Sequence, residues 1–169
     1  LGRHLREGWL QLFCVDSHDA HSWYAKHLPP PERLHHHCAY ERYILEEVLP
    51  YSTHLNPNPF LIATGCSFGA FHAMLFGLRR PHVVGRVVGL SGAYDASRWL
   101  DGYQGLDAYY LNPVAFVGGI RDDAQRQALG DVDLIFAVGR DDQSFDTNIA
   151  LSGALERQGV GHAFRPWDV

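Results

Sequence analysis

The sequence predicts an α/β fold, a doubly wound and mostly parallel sheet of about five strands with helices on both faces. Two observations predict it. Short apolar runs rich in β-branched and aromatic residues alternate with longer stretches of helical periodicity, the pattern of βαβ units. One run, from Phe60 to Cys66, passes through Gly65-Cys66-Ser67-Phe68-Gly69 directly into an apolar helical stretch, so that a strand, a sharp turn and a helix follow one another. Right-handed crossovers then bring the carboxyl ends of the strands to one rim, where open α/β sheets bind ligands.

Taken in order, the segment from Leu1 to Glu7 reads as the tail of a helix, and Trp9 to Val15 as a strand buried on both faces. Asp16 to Tyr24 is a polar loop at that strand's carboxyl end. Pro29-Pro30-Pro31 opens a long amphipathic helix, Glu32 to Leu49, that covers the sheet and stops at Pro50. His35-His36-His37 lies within it, but successive helical residues point about 100° apart and do not share an ion. His37 and Glu41 stand at i, i+4 without an evident third ligand, so this histidine run reads as a solvated helix face and no metal is expected.

Asn56-Pro57-Asn58-Pro59 is a turn ahead of the strand that ends at Ser67, and the helix after Ser67 runs to about Arg80, with Pro81 as its stop. Val83 to Leu90 is a further buried strand, followed by the rim loop Ser91 to Asp95. Ala96 to Ala128 is less regular and rich in aromatics, a segment that either covers a pocket or packs on the helix after Ser67. Val132 to Val138 forms a fourth strand, Ser144 to Gln158 a helix with Ile149, Leu151, Ala154 and Leu155 inward, and a fifth strand starts at His162 and includes Trp167. No repeat or internal boundary interrupts this series, which reads as one domain from 1 to 169.

With 169 residues, 46% of them hydrophobic and 20% charged, the chain is long enough for a sizeable core. A net charge of −5 and the lack of a Lys/Arg-rich run argue against nucleic acid or an anionic membrane as partner, leaving a small molecule. No apolar run reaches the length of a membrane-spanning helix. Cys14, Cys38 and Cys66 are odd in number and form no CxxC pair, which suits buried free thiols and, by default, the cytoplasm.

The chemistry centres on Ser67. A serine at the tip of a strand-to-helix turn is held in a strained backbone conformation, and the neighbouring chain passes so closely that Gly65 and Gly69 are needed where a Cβ would clash. The helix that follows directs free N–H groups at the site, so that the Phe68 N–H can donate to a developing oxyanion. A turn whose serine merely caps a helix is the plainer reading of the same pattern.

The elbow Gly65-Cys66-Ser67-Phe68-Gly69, the helix segment from Tyr40 to Pro50 and the stretch Gly89-Leu90-Ser91-Gly92-Ala93-Tyr94-Asp95 resemble the putative-esterase family of the α/β-hydrolase superfamily, with its esterase D-like enzymes, feruloyl esterases and mycolyltransferases. The resemblance implies a serine esterase without metal or organic cofactor, its triad in the order Ser, Asp/Glu, His. It implies Asp142 of Gly139-Arg140-Asp141-Asp142 as the acid, with Asp141 next to it and Asp146 more distant; helix capping is a compatible role.

The base departs from the pattern. His162 is the only histidine after Asp142, and six strand residues at about 3.3 Å each put it roughly 20 Å from the rim. His18 and His21 lie on a rim loop but precede the serine, and His72 sits on the wrong turn of the helix after Ser67, so geometry disfavours all three as base. The family's histidine follows the last strand and its second oxyanion donor precedes Leu1, so the resemblance implies a fragment that lacks both and is inactive alone. Acyl transfer by the same machinery and a non-catalytic binding module are the alternatives.

Overall fold

The computed structural model describes residues 2–168, and Leu1 and Val169 lie outside them. A short helix α1 (Gly2–Arg6) is followed by an extended segment and a 3-10 turn at Asp19–His21. Then come α2 (Pro30–Tyr43), a π-helical stretch at Ile44–Val48 and α3 (Leu49–Leu55). The sheet is built from β1 (Ile62–Cys66), β2 (Arg86–Leu90), β3 (Asp133–Gly139) and β4 (His162–Trp167), all parallel and in the order β1-β2-β3-β4. Helix α4 (Phe68–Arg79) joins β1 to β2. A 3-10 turn and α5 (Leu106–Tyr110), α6 (Pro113–Gly118) and α7 (Asp123–Gly130) precede β3, and α8 (Phe145–Arg157) precedes β4.

The α/β class and the parallel sheet are as expected, with four strands rather than about five. The segment Trp9–Val15 is not a strand, although its composition suits one. An apolar run becomes a strand only when a neighbour takes up its backbone groups, and among the described residues the edge strand β1 pairs only with β2. Trp9, Leu10 and Leu12 are exposed, and Phe13 packs edge-on against Tyr51 of α3 at 6.2 Å. Cys14 and Cys66 are exposed as well, against the expectation of buried thiols; all three cysteines are free.

The long helix runs past Pro50 to Leu55. Proline lacks an N–H and crowds the carbonyl one turn back; the π-helical stretch Ile44–Val48 immediately before it loosens the ladder and lets the helix continue. This helix does not lie on the sheet. It packs outside α4 by a buried stripe, Arg33, Leu34, His37 and Glu41, that is mostly polar. His37, expected in solvent, is 4% exposed, and Glu41 accepts from Arg79 Nε at 3.0 Å and Arg80 Nε at 2.8 Å.

Helix α4 is buried on two sides. Ala70, Ala73, Met74 and Leu78 meet Val87, Leu134 and Phe136 of the sheet together with α6 and α8. Phe68, Phe71 and Leu75 meet Trp23, Leu34, Trp99 and Leu111 in a second, outer cluster. Val87 and Leu134 are register partners and so face the same way. Helices α4 and α8, which make the main sheet contacts, therefore share one face, whereas helices were expected on both. On the opposite face Ile62 and Leu90 are exposed and Ile135 is half-buried.

The aromatic-rich stretch chiefly packs on α4: Trp99 lies 4.7 Å from Phe68, and Phe116 and Val117 enter the sheet-side core. Of the residues expected inward on α8, Ile149 is exposed, while Leu151, Ala154 and Leu155 are fully buried. No described helix is long and apolar enough to cross a membrane.

Helix α4 approaches the sheet closely at Gly77, where an added Cβ would collide with the Val87 side chain. Alanine is the better helix former by about 1 kcal/mol, yet Gly77→Ala should destabilise the chain by about 1–3 kcal/mol through overpacking. Urea unfolding of the single variants and the pair checks this: with Val87→Ala the double variant should lose less than the sum of the two, by about 1 kcal/mol or more.

Candidate active site at the carboxyl rim

Ser67 is exposed at the tip of the turn between β1 and α4, with φ 52° and ψ −118°. This is a region L-residues rarely occupy, at a cost of order 1–3 kcal/mol. The surroundings hold it there. Its N–H donates to the Leu90 carbonyl at 2.8 Å, and its own carbonyl accepts from Ala70 N at 3.1 Å and Phe71 N at 3.2 Å. The N–H groups of Phe68 and Gly69, in the first turn of α4, are left without intrahelical acceptors and face the region before the helix.

The two elbow glycines are not equivalent. A Cβ on Gly65 would collide with the Gly69 carbonyl and stand 2.8 Å from Ala70 N, whereas a Cβ on Gly69 would meet nothing within 4 Å. The expected steric need therefore holds for Gly65 and not for Gly69. It is the backbone of residue 69, not its missing side chain, that crowds the turn.

Asp142 lies beyond the end of β3 on the same rim. The Ser144 N–H donates to its Oδ1 at 2.7 Å, and this bond, assisted by the Ser91 hydroxyl, holds the carboxyl below its usual value. Ser91 itself stands at φ 50° after β2, its N–H bonded to the Ala137 carbonyl at 2.8 Å. Ser67, Ser91 and Asp142 thus follow the ends of three adjacent strands. With neighbouring strands about 4.8 Å apart, the first and last strands are separated by about 10 Å. Asp141 and Asp146 are exposed.

The histidines are engaged elsewhere. His162 starts β4, beside Leu134 at the amino end of β3, and its Nε2 meets Ser152 Oγ at 2.8 Å. His18 and His21 stack on each other at 4.6 Å on the loop ahead of α2. His72 Nε2 hydrogen-bonds Asp19 Oδ1 at 2.8 Å, and its ring stacks on buried His37 at 5.3 Å. Sequence reasoning missed this cluster, because Asp19 and His72 are far apart in the chain and no local pattern joins them. No group of three or more metal-ligating side chains forms among the described residues.

Burial, then the neighbouring His72 and Arg79, keep the His37 imidazole well below its ordinary value. Tyr40, on the same helix, has its hydroxyl pushed up to about 12, mainly by burial.

No protein-family model matches the sequence, and no curated protein matches it. Solved structures do. A ferulic acid esterase superposes with a TM-score of 0.64 at 22% identity, over 77% of this chain and 53% of that one. The S-formylglutathione hydrolase of Staphylococcus aureus gives 0.56 at 20% identity, over 82% and 57%. The enterochelin esterase of Shigella flexneri gives 0.52 at 20% identity, over 90% and 35%. The chain spans about half the length of the first two. These esterases are α/β-hydrolases, and the described residues share that fold.

Two predictions come from this geometry. Gly65→Ala should cost roughly 3 kcal/mol, the upper end of overpacking, while Gly69→Ala stays within about 0.5 kcal/mol of the parent; thermal melts compare them. His37, neutral when folded, binds a proton more readily in the unfolded chain, so its contribution to stability is complete above about pH 6.5 and is lost as pH falls below that. His37→Phe should flatten the acid side of the stability curve by up to about 1.4 kcal/mol per pH unit, read from urea midpoints between pH 7.5 and 5.

Proposed function

We propose that this chain carries the nucleophile and acid of a serine carboxylic-ester hydrolase acting on a small-molecule ester. The carrying observation is Ser67 itself, exposed and held at positive φ on a strand-to-helix turn, ahead of a helix whose first N–H groups have no intrahelical acceptors. In this reading Ser67 Oγ attacks the acyl carbonyl and a histidine takes its proton. The Phe68 N–H stabilises the oxyanion. Collapse of the tetrahedral intermediate expels the alcohol, which receives the proton, and water then releases the acid by the same steps reversed. No metal or organic cofactor takes part.

Asp142 orients the histidine and stabilises its protonated form. Support comes from its lowered carboxyl pKa and from the two-strand separation, which an imidazole hydrogen-bonded at both ends can bridge. The base is assigned to a histidine outside the 169 residues, since His72 and His162 are each committed to another partner.

Added imidazole tests this assignment. It should raise p-nitrophenyl acetate hydrolysis by the chain at least tenfold over a Ser67→Ala control measured in the same imidazole, and Asp142→Asn should remove most of the gain. A fluorophosphonate should label Ser67 under the same conditions. If Ser67→Ala matches the parent at every imidazole concentration and nothing is labelled, the hydrolase reading is wrong. Fast turnover without imidazole would overturn the assignment of the base.

A further inference from the structure

Phe68, whose N–H is the proposed oxyanion donor, is only 7% exposed, and much of what buries it comes from outside its own helix. Its ring lies 5.0 Å from Tyr24, 6.1 Å from Trp23 and 4.7 Å from Trp99. Tyr24 and Trp23 belong to the rim loop before α2, so the cage around the elbow closes only when that loop is docked.

One polar tie joins this loop to α4 among the described residues: His72 Nε2 donates to Asp19 Oδ1 at 2.8 Å. Both side chains are nearly buried, 11% and 13% exposed. Asp19 is also the centre of its own loop. Its second oxygen accepts from Ser17 Oγ at 2.6 Å, and its carbonyl accepts from Ser22 N at 3.1 Å and Tyr24 N at 2.9 Å. On the other side, His72 stands one helical turn after Phe68 and meets its ring edge-on at 5.0 Å. A single hydrogen bond thus connects the residue that shapes the loop with one that touches the elbow.

We infer that Asp19 and His72 are positioning residues, a latch that docks the loop at residues 17–25 on α4 and thereby fixes Phe68 beside Ser67. This inference rests on the proposed role of Phe68. His72 acts through packing and one donated hydrogen bond, not by proton transfer with substrate. The nearly buried Asp19 oxygen that lost this donor would be left unsatisfied; the loop would lift to hydrate it, and the aromatic cage would open. A glutamine at position 72 can still donate an N–H to Asp19, whereas leucine cannot.

The test uses His72→Leu, His72→Gln and Asp19→Asn in the 169-residue chain. Hydrogen exchange of the Ser22, Tyr24 and Ala25 amides reports docking without reference to activity. Fluorophosphonate labelling of Ser67 in imidazole reports the site. His72→Leu should lose tenfold or more of the loop protection while the β2 and β3 amides stay protected, and labelling should slow about tenfold. His72→Gln should recover both.

Unchanged loop protection in His72→Leu and Asp19→Asn would overturn the latch. Slowed labelling with the loop still protected would also overturn it, because His72 would then act on Ser67 directly. So would a His72→Gln chain that keeps the loop docked yet labels as slowly as His72→Leu. If the parent chain itself is not labelled, the hydrolase reading falls, while the exchange arm still decides whether the latch exists.

Discussion

The structure depends on one helix being buried on two opposite sides. Helix α4 presents small residues and Met74 to the sheet and large aromatic residues outward. The inner face lets the helix approach closely enough that Gly77 sits against Val87. The outer face demands a covering layer, which α2, the rim loop and the stretch around Trp99 supply. A helix that is apolar all round belongs to the interior, and here that requirement holds the backbone of Ser67 at the point where the helix begins. The strain at Ser67 persists because both neighbouring layers over-determine it.

The outer layer is attached in an unusual way for a small domain. Its contacts with α4 and the rim include polar pairs in which at least one member is buried: Arg33 donates to the Trp99 carbonyl at 2.6 Å and pairs with Asp101, Glu41 holds Arg79 and Arg80, and Asp19 holds His72. Such pairs add little net stability compared with an apolar contact, but they are costly to break singly. They therefore fix where the layer sits more than how tightly it binds. Around Ser67, the proposed nucleophile at the start of the underlying helix, position is the property that matters.

This arrangement explains what was legible in the sequence. The four strands and the turn at Ser67 could be read because local pattern decides them: β-type runs between glycines and prolines, and a glycine at 65 that nothing larger replaces. The segment from Trp9 to Val15 could not, because a strand is a relation between two segments and its composition is only half of that. Nor could the stripe of Arg33, His37 and Glu41. On a helix these residues look like a solvated face, and it is partners outside the helix, Trp23, His72, Arg79 and Trp99 among them, that draw them inside. His72 stands on a well-patterned helix, yet nothing nearby in the chain announces Asp19 as its partner.

The sheet ends in two unlike margins. The outer strand β4 contains Pro166, which has no N–H to offer, and the exposed Arg165, two devices that discourage a further strand. The opposite margin, Ile62-Ala63-Thr64-Gly65-Cys66, has neither charge nor proline within it. The sheet thus has a blunted end and a receptive one, and its growth has a direction. An extended segment of any origin that ran parallel to β1 would find an unclaimed row of backbone donors and acceptors, and the strand presenting them is the one that carries Ser67 at its tip.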